Sequence, residues 1–202
     1  MHATDTSAPP SRRLPRAERR EQVARAAAAV FMRGGFDGTS MDDVARQAGV
    51  TRPIVYRIFE SKEVLYRSVL DLVIDDLEDA FDPVAKRPRG DHAEQTIAAM
   101  VLSVARRHPD AFRLLWRHAA HEPEFRDFAT QFKTAVIDYA IELLGASIAD
   151  PVVRRWAAEC VVSHLYESVC LWLDDGDPSR DGECAVMITA GIRAVVAAWT
   201  AG

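Results

Sequence analysis

The sequence has few of the residues that build disulfide frameworks or interrupt helices. Among 202 residues there are three cysteines and only ten each of glycine and proline. Cys160, Cys170 and Cys184 form no CxxC pair and no even framework, as expected in a reducing compartment. Because alanine, leucine, valine, glutamate and arginine dominate and turn signals are widely spaced, the composition predicts an all-α protein. Its length fits one small domain plus a larger one.

Long hydrophobic runs and enzymatic motifs are also missing. Charges break the apolar stretches well short of the span that a bilayer needs, and the N-terminus lacks the apolar region of a secretion signal. We therefore expect a cytoplasmic protein without a membrane partner. There is no Gly-x-Ser-x-Gly elbow, no phosphate-binding glycine loop and no His-Glu-x-x-His zinc pair. We expect no enzymatic activity, no catalytic residues and no cofactor.

A group of histidines leaves a metal-binding alternative open. His118, His121 and Glu122 lie beside His108 in the sequence, and their three-residue spacing could offer two imidazoles from one helix to a metal. Histidines near helix ends are also commonly solvated or act as caps. If these histidines bind a metal, the protein would be a metal-responsive sensor.

Residues 39 to 62 predict two short helices joined by a tight turn. Ser40 can cap the first helix by accepting a backbone hydrogen bond, and Gly49 can end it in the left-handed conformation. Thr51 can cap the second helix, whose first turn takes Pro53 without losing a hydrogen bond. Two helices arranged in this way form the helix-turn-helix of many DNA-binding proteins.

The second of these helices carries more large side chains than about nine residues can bury. A guanidinium, apolar surface and a phenol near its N-terminal end suit guanine edges, thymine methyls and phosphates. The alternative is an ordinary surface helix in an all-helical protein. The side chains concerned are Arg52, Pro53, Ile54, Tyr56, Arg57 and Ile58.

The order of these motifs resembles the tetracycline-repressor-like (TetR) family of bacterial one-component regulators. The matching segments are AVFMRGGF (29–36), GTSMDDVA (38–45), AGVT (48–51), VYRIF (55–59) and SKEVL (61–65). The resemblance covers only this N-terminal quarter, so it implies DNA binding more firmly than any ligand. It implies base contacts by Arg52, Pro53, Ile54 and Ile58, and phosphate contacts by Thr39, Thr51, Tyr56 and Lys62. Many relatives carry polar groups where this chain has Ile54 and Ile58, which leaves the base code open.

The net charge of −5 is unevenly distributed. Residues 11 to 66 carry 11 Lys/Arg against 7 Asp/Glu, a balance of +4, whereas residues 67 to 202 carry 14 against 22, a balance of −8. A basic region confined to the predicted DNA reader is what phosphate binding requires. Arginines 12, 13, 16, 19 and 20 follow a Ser/Pro-rich tail and could touch phosphates or the minor groove. A solvated charge run is the alternative.

Hydrophobic periodicity predicts about nine helices in three regions. We expect a disordered basic arm over 1–15, a DNA-binding domain over 16–66, and an effector-binding and dimerisation domain over 67–202. Helix 1 should run from about Arg16 to Arg33, and a helix from about Ser61 to Asp82 should connect reader to sensor. The proline and glycine loop at 83–90 marks the clearest boundary. Further helices are expected over 91–107, 109–121, 123–148, 150–174 and 180–201.

The C-terminal helices suggest a ligand cavity and a dimer interface. In the family that the chain resembles, this domain generally holds a small, often hydrophobic effector; plain core packing is the alternative for each aromatic residue. Two helices from each of two chains would form a four-helix bundle, the competing interpretation being an ordinary interior. The effector candidates are Met100, Val104, Phe112, Leu115, Trp116, His118, Phe128, Phe132 and His164; the interface candidates are Val161, Leu165, Trp172, Ile188, Ile192 and Val195.

Together these features predict a homodimeric, ligand-responsive transcription factor. We expect a repressor that occupies a palindromic operator on double-stranded DNA and leaves when a small hydrophobic effector enters the sensor domain. An effector-independent activator or architectural DNA-binding protein is the first alternative. A metal-responsive sensor is the second.

Overall fold

The computed structural model describes residues 15–85, 93–145 and 147–200. Within these ranges the chain forms nine α-helices and no strand, which confirms the all-helical prediction. The helices are α1 (Arg16–Gly34), α2 (Met41–Ala48), α3 (Arg52–Ile58), α4 (Lys62–Ala85), α5 (Ala93–Arg107), α6 (Pro109–Arg113), α7 (Arg126–Leu144), α8 (Pro151–Asp175) and α9 (Asp181–Thr200). Most of the predicted basic arm, Arg12 and Arg13 included, lies outside the described residues.

Local capping signals form the helix-turn-helix largely as predicted. Ser40 Oγ accepts from the Asp43 N–H at 3.2 Å, and the Ser40 N–H donates to Asp43 Oδ2 at 3.0 Å, a reciprocal capping box. Gly49 has φ 65° and ψ 32°, the left-handed conformation that turns the chain toward α3. Thr51 occupies the predicted N-cap position of α3 with an extended backbone, but its side chain makes no capping hydrogen bond.

The segment from 109 to 121 is less regular than the predicted single helix. After α6 the chain widens into a π-helical turn over Leu114–His118 and then tightens into a 3₁₀ turn over Ala119–His121. The Ala119 N–H donates to the Leu114 carbonyl, one residue further back than in an α-helix. Such irregular turns often lie at functional sites. The helix that follows is shorter than predicted at both ends, since α7 covers only Arg126–Leu144.

A single hydrophobic core runs from α1 to α9. Helix α4 packs against α1 on one side and α5 on the other, so it belongs to both halves of the molecule. Helices α7, α8 and α9 pack on one another and complete the C-terminal half. The core therefore extends without a break from the helix-turn-helix to the C-terminal helices.

Helix α9 contradicts the expectation that charges break every apolar stretch well short of the length that spans a bilayer. The segment Pro178–Thr200 is long and apolar enough to cross a membrane by length and composition, and 22% of its most apolar window is buried. One such helix is weak grounds for a membrane span. The low burial shows that an unusually apolar helix lies at the surface of the chain.

Candidate DNA-binding surface and sensor cavity

Helix α3 presents one side to the core and the other to solvent. Val55 is fully buried on the side of α3 that joins the core, where α3 packs against α2, while Ile54 and Ile58 are half-buried at the edge. Four of the α3 side chains predicted to contact DNA are exposed: Arg52, Pro53, Tyr56 and Arg57. These exposed side chains, called here the DNA-binding face, form a compact surface of mixed cationic, apolar and phenolic character.

Arg52 is held in place on this face by neighbours on two helices. Its Nη1 donates to Asp42 Oδ2 at 3.0 Å, and its guanidinium lies 5.3 Å from the centre of the Tyr56 ring. The interaction with Tyr56, ahead of the attraction of Asp42, raises the pKa of Arg52 above its ordinary value. Exposed ion pairs contribute little stability in water. A guanine edge or a phosphate can therefore displace Asp42 at small cost.

Two of the predicted phosphate contacts have structural partners inside the protein. Thr39 is 4% exposed and its hydroxyl donates to the Gly35 carbonyl at 2.8 Å, so its proton is used inside the protein and not on the surface. Lys62 donates to the Phe36 carbonyl at 2.8 Å and lies 4.2 Å from the centre of the Phe36 ring. An ammonium has three donors, so two of those on Lys62 remain for a phosphate. Thr51 is exposed beside α3.

Arg20, one of the arginines that the sequence suggested for contacts to phosphates or the minor groove, instead bonds within the N-terminal helices. Its Nη1 donates to the Ile58 carbonyl at 3.2 Å, its Nη2 donates to Ser68 Oγ at 2.7 Å, and its guanidinium lies 4.4 Å from the centre of the Phe59 ring. It thus fixes the end of α3 to α1 and α4. No local signal could reveal this role, because the partners are 38 or more positions away.

A cluster of four aromatic rings, Phe31, Phe36, Tyr66 and Phe125, joins the reader to the start of α7. Tyr66 lies edge-on to Phe31 at 4.9 Å and to Phe36 at 5.3 Å, and 4.3 Å from Phe125. Glu122 accepts from the Phe36 N–H at 3.4 Å. The continuous helix α4 is therefore not the only physical connection between the two halves. This cluster adds a packed contact across the same boundary.

A cavity of about 310 Å³ lies between α4, α7 and α8. Of the predicted effector residues, one, Phe132, stands in the wall that the described residues form. Side chains on α4 and α7 that the sequence analysis had not selected make up much of the remainder. The wall consists of Leu77, Glu78, Phe81, Phe132, Ala135, Val136, Tyr139 and Tyr166.

The other predicted effector residues lie outside that wall. Three of them, Val104, Phe112 and Leu115, are at most 5% exposed and belong to the core, because helical spacing alone cannot separate a core stripe from a cavity lining. Two more, Met100 and Phe128, are half-buried against the core, and the Arg67 guanidinium lies 3.4 Å from the centre of the Phe128 ring. The two histidines, His118 and His164, are exposed, and His164 lies against Gly191 on α9.

Tyr166 is one of the wall residues that the sequence-based selection missed. It is 1% exposed, and its hydroxyl has no hydrogen-bond partner among the described groups. Phe112 and Trp116 stack against its ring, at 5.6 Å and 4.6 Å between ring centres, and Phe132 meets it edge-on at 6.2 Å. Burial raises the pKa of Tyr166, so its hydroxyl keeps its proton. The predicted effector residue Trp116 therefore lies behind the cavity wall, in contact with the wall residue Tyr166.

Helices α8 and α9 expose a large apolar surface, called here the α8–α9 face: Val152, Trp156, Met187 and Val195. Trp156 is 50% exposed, and its ring lies 4.7 Å from that of Trp199. The predicted interface residues divide between two environments. Leu165 and Ile188 are 6% and 5% exposed and pack in the core of the chain, the alternative that the sequence had left open. Three others, Val161, Trp172 and Ile192, are half-buried, and Val195 is 41% exposed.

The residues of the metal-binding alternative do not converge. His108 is 6% exposed, and its Nε2 lies 2.9 Å from Asp76 Oδ2 on α4. Glu122 instead accepts from Phe36 in the reader. The part of the chain that the structure describes contains no group of three or more side chains that could hold a metal ion.

Sequence comparison identifies the N-terminal helices. The family described as "Bacterial regulatory proteins, tetR family" matches residues 24–69, which include the helix-turn-helix. The chain is also 46% identical over 65 residues to the HTH-type transcriptional activator FasR of Mycolicibacterium smegmatis. That match covers 32% of this chain and 30% of FasR, so the chain spans less than a third of its curated relative's length.

Solved structures with the same fold extend over most of the chain. A TetR-like transcriptional regulator from Rhodococcus sp. RHA1 superposes with a TM-score of 0.76 at 20% identity, covering 92% of this chain and 99% of that one. The regulator FadR from Bacillus subtilis, solved in complex with stearoyl-CoA, has a TM-score of 0.66 at 14% identity, covering 85% and 96%. The C-terminal helices therefore share the TetR-like fold.

Proposed function

Because the chain belongs to the TetR family of bacterial regulatory proteins, we propose that it is a homodimeric, ligand-responsive transcription factor. It binds an inverted-repeat operator on double-stranded DNA as a repressor and dissociates when a small hydrophobic effector enters the cavity. The observation that carries the proposal is the DNA-binding face on α3, a short helix held by a capped helix-turn-helix in the basic part of the chain.

The chemistry of the DNA-binding face supports sequence-specific binding. Arg52 can donate two parallel hydrogen bonds to guanine, while Pro53 and Ile54 can contact thymine methyls. Tyr56, Arg57 and Lys62 supply donors for phosphates, which position the helix on the duplex. The surrounding reader carries the positive charge that phosphate binding requires.

The α8–α9 face supports a two-fold dimer. Apolar side chains such as Trp156 and Val195 are exposed in one subunit, and a second copy of the same two helices would bury them in a four-helix bundle. Two-fold symmetry then fixes the distance and the relative orientation of the two α3 helices. We expect operator half-sites about one helical turn apart or slightly more.

The position of the cavity supports control by a ligand. Leu77, Glu78 and Phe81 of α4 stand in its wall, and the same helix begins at Lys62 beside the DNA-binding face. A ligand that binds one arrangement of α4 better than another shifts the separation of the two α3 helices. Such coupling typically changes operator affinity by a factor of about 5 to 150.

Activation is the second candidate function. FasR, which is similar to this chain in the N-terminal third, is named a transcriptional activator. The helix-turn-helix only places the protein on DNA, so its sign of action depends on where the operator lies relative to the promoter. Transcription from the captured operator in a purified system, with and without the protein, separates repression from activation.

The proposal is tested by selecting DNA with the purified full chain. Random duplexes retained by the protein, once sequenced, should converge on an inverted repeat, and a mobility shift should measure their affinity. The matched control is Arg52→Ala together with Tyr56→Ala, which removes two contacts of the DNA-binding face and leaves the core intact. Retained sequences without an inverted repeat, or equal retention by the double variant, would refute the proposal.

A further inference from the structure

Helix α3 is held by few contacts of its own. It is seven residues long, and helices this short depend on tertiary contacts for their stability. Thr51 before it makes no capping hydrogen bond, and its backbone packs chiefly against α2. Val55 is its one buried residue, and a single anchor does not fix the orientation of a helix. The angle at which α3 would meet DNA therefore needs a second fixed point.

Arg20 of α1 supplies this point at the C-terminal end of α3. Ile58 is the last residue of α3, and the last carbonyl groups of a helix have no partner within it. Arg20 Nη1 donates to the Ile58 carbonyl at 3.2 Å, and Nη2 donates to Ser68 Oγ on α4 at 2.7 Å. One guanidinium thus bonds to two helices at once.

The planar shape of the guanidinium is part of this arrangement. Its central carbon lies 4.4 Å from the centre of the Phe59 ring, and Phe59 is fully buried directly after α3. Arg20 is therefore held by a stacked ring as well as by two hydrogen bonds. A lysine would keep the charge but not the planar fork that makes these contacts.

The partners of Arg20 distinguish two possible roles for this exposed arginine. A guanidinium that binds phosphate strengthens binding to every duplex alike, because phosphates carry no sequence information. A guanidinium bonded to Ile58 and Ser68 acts on DNA through the placement of α3, whose side chains would read the bases. Its loss should therefore weaken binding to the operator more than to an unrelated duplex.

Resting on the proposed function, we infer that Arg20 is a positioning residue for base recognition, which sets the angle of α3 and so determines specificity without touching DNA itself. Misplacing α3 should cost at least about one base contact, which corresponds to a loss of about 5-fold or more in operator affinity. Binding to unrelated DNA depends on charge alone and should change no more than the removal of any other arginine of α1 would change it.

Three variants of the full chain test this inference in fluorescence anisotropy with the selected inverted repeat and with an unrelated duplex of the same length. Arg20→Ala removes the contacts and the charge, whereas Arg20→Lys keeps the charge. The matched control is Arg25→Ala, since Arg25 is an exposed arginine of α1 that bonds to Glu21 on the same helix at 2.6 Å. We expect the ratio of operator affinity to unrelated affinity to fall about 5-fold or more in both Arg20 variants and to stay unchanged in the control.

This ratio separates positioning from the other effects of the substitution. A smaller folded fraction would lower both affinities by the same factor and leave the ratio unchanged. A phosphate contact would also lower both affinities, would flatten the salt dependence by about 0.9 relative to Arg25→Ala, and would survive in Arg20→Lys. An unchanged ratio in Arg20→Ala, or a wild-type ratio in Arg20→Lys, would overturn the inference.

Amide hydrogen exchange without DNA tests the same contacts independently of the proposed function. The Phe59 N–H donates to the Val55 carbonyl at 2.8 Å, and its exchange should become faster in Arg20→Ala while the amides of α2 keep their rates. Unchanged exchange at Phe59 would refute the positioning role. A wild-type chain that selects no inverted repeat would refute the proposed function and the inference together, whereas a selective wild type with an unchanged ratio in Arg20→Ala would refute the inference alone.

Discussion

The helices at the two ends of the chain expose apolar side chains very differently. Helices α1 to α4 expose two large apolar residues among those described, Tyr56 and Val64, whereas α8 and α9 expose seven. The few exposed groups of the reader stand among arginines, which suits a charged and hydrated partner such as DNA. The apolar face of α8 and α9 suits a partner of its own kind, because large apolar patches on soluble proteins usually mark an interface.

Placing a charge on the α8–α9 face should have the largest effect. Trp156→Asp would bury a carboxylate in an apolar interface, and two-fold symmetry would impose that cost of roughly 3 to 5 kcal/mol twice. We expect the dimer dissociation constant to rise more than about 100-fold in sedimentation equilibrium, with operator binding lost in parallel. Val64→Asp adds a charge at a similarly exposed position on α4 and should stay dimeric. A dimeric Trp156→Asp protein would exclude this interface.

Removing Arg52 tests the DNA-binding face. Arg52→Ala should weaken binding to the selected operator by about 1 to 3 kcal/mol and relax the preference at one base pair per half-site. Tyr56→Phe, which removes the proposed phosphate donor, should weaken binding to all sequences alike. Arg46→Ala deletes the same charge from α2 and should leave the base preference unchanged. A selection experiment that returns the same preference with Arg52→Ala would remove Arg52 from the base contacts.

The C-terminal half also contains a half-buried ion pair with a defined pH dependence. Arg106 donates to Asp181 through Nε and Nη2, both at 2.9 Å, and the Trp172 indole donates at 2.7 Å. Arg106 first, and then Trp172, hold the pKa of Asp181 below its ordinary value. Stability from a lowered pKa is present above the unfolded value, near 4, and is lost as the pH falls through the folded value.

Asp181→Asn should therefore lower the free energy of unfolding by about 1 to 2 kcal/mol at pH 7. The difference from the wild type should shrink below about pH 4, as urea denaturation at several pH values and fixed protein concentration can measure. Glu159→Gln disrupts the exposed Arg155–Glu159 pair and should change stability by less than about 0.5 kcal/mol. A pH-independent difference for Asp181→Asn would contradict the role of its charge.

The smallest expected effect concerns the caps of the reader. Ser40→Ala removes a reciprocal capping box and should cost about 1 kcal/mol in thermal or urea unfolding. Thr51→Ala occupies the equivalent position before α3 but makes no capping hydrogen bond, so its cost should be close to zero. Equal losses in the two variants would mean that the hydroxyl of Ser40 contributes no more than that of Thr51.

The sequence alone determined the helix-turn-helix. Ser40, Asp43 and Gly49 act within a few residues of one another, and their hydrogen bonds and backbone angles depend on local spacing. The repeated apolar residues of α1, α4 and the C-terminal helices likewise predicted an all-helical chain, because a helical stripe is visible in one dimension. The predicted role of α3 followed from side chains that a short helix cannot bury.

Only the tertiary structure decided which side of each C-terminal helix meets the core. Leu165 and Trp156 both lie on α8, yet one is buried and the other is half exposed, since their neighbours come from helices far away in the sequence. Tyr166 and Arg20 gained their positions in the same way, through rings and carbonyls that folding brings close. Local patterns fix hydrogen bonds between near residues, whereas burial and cavities depend on how distant helices pack.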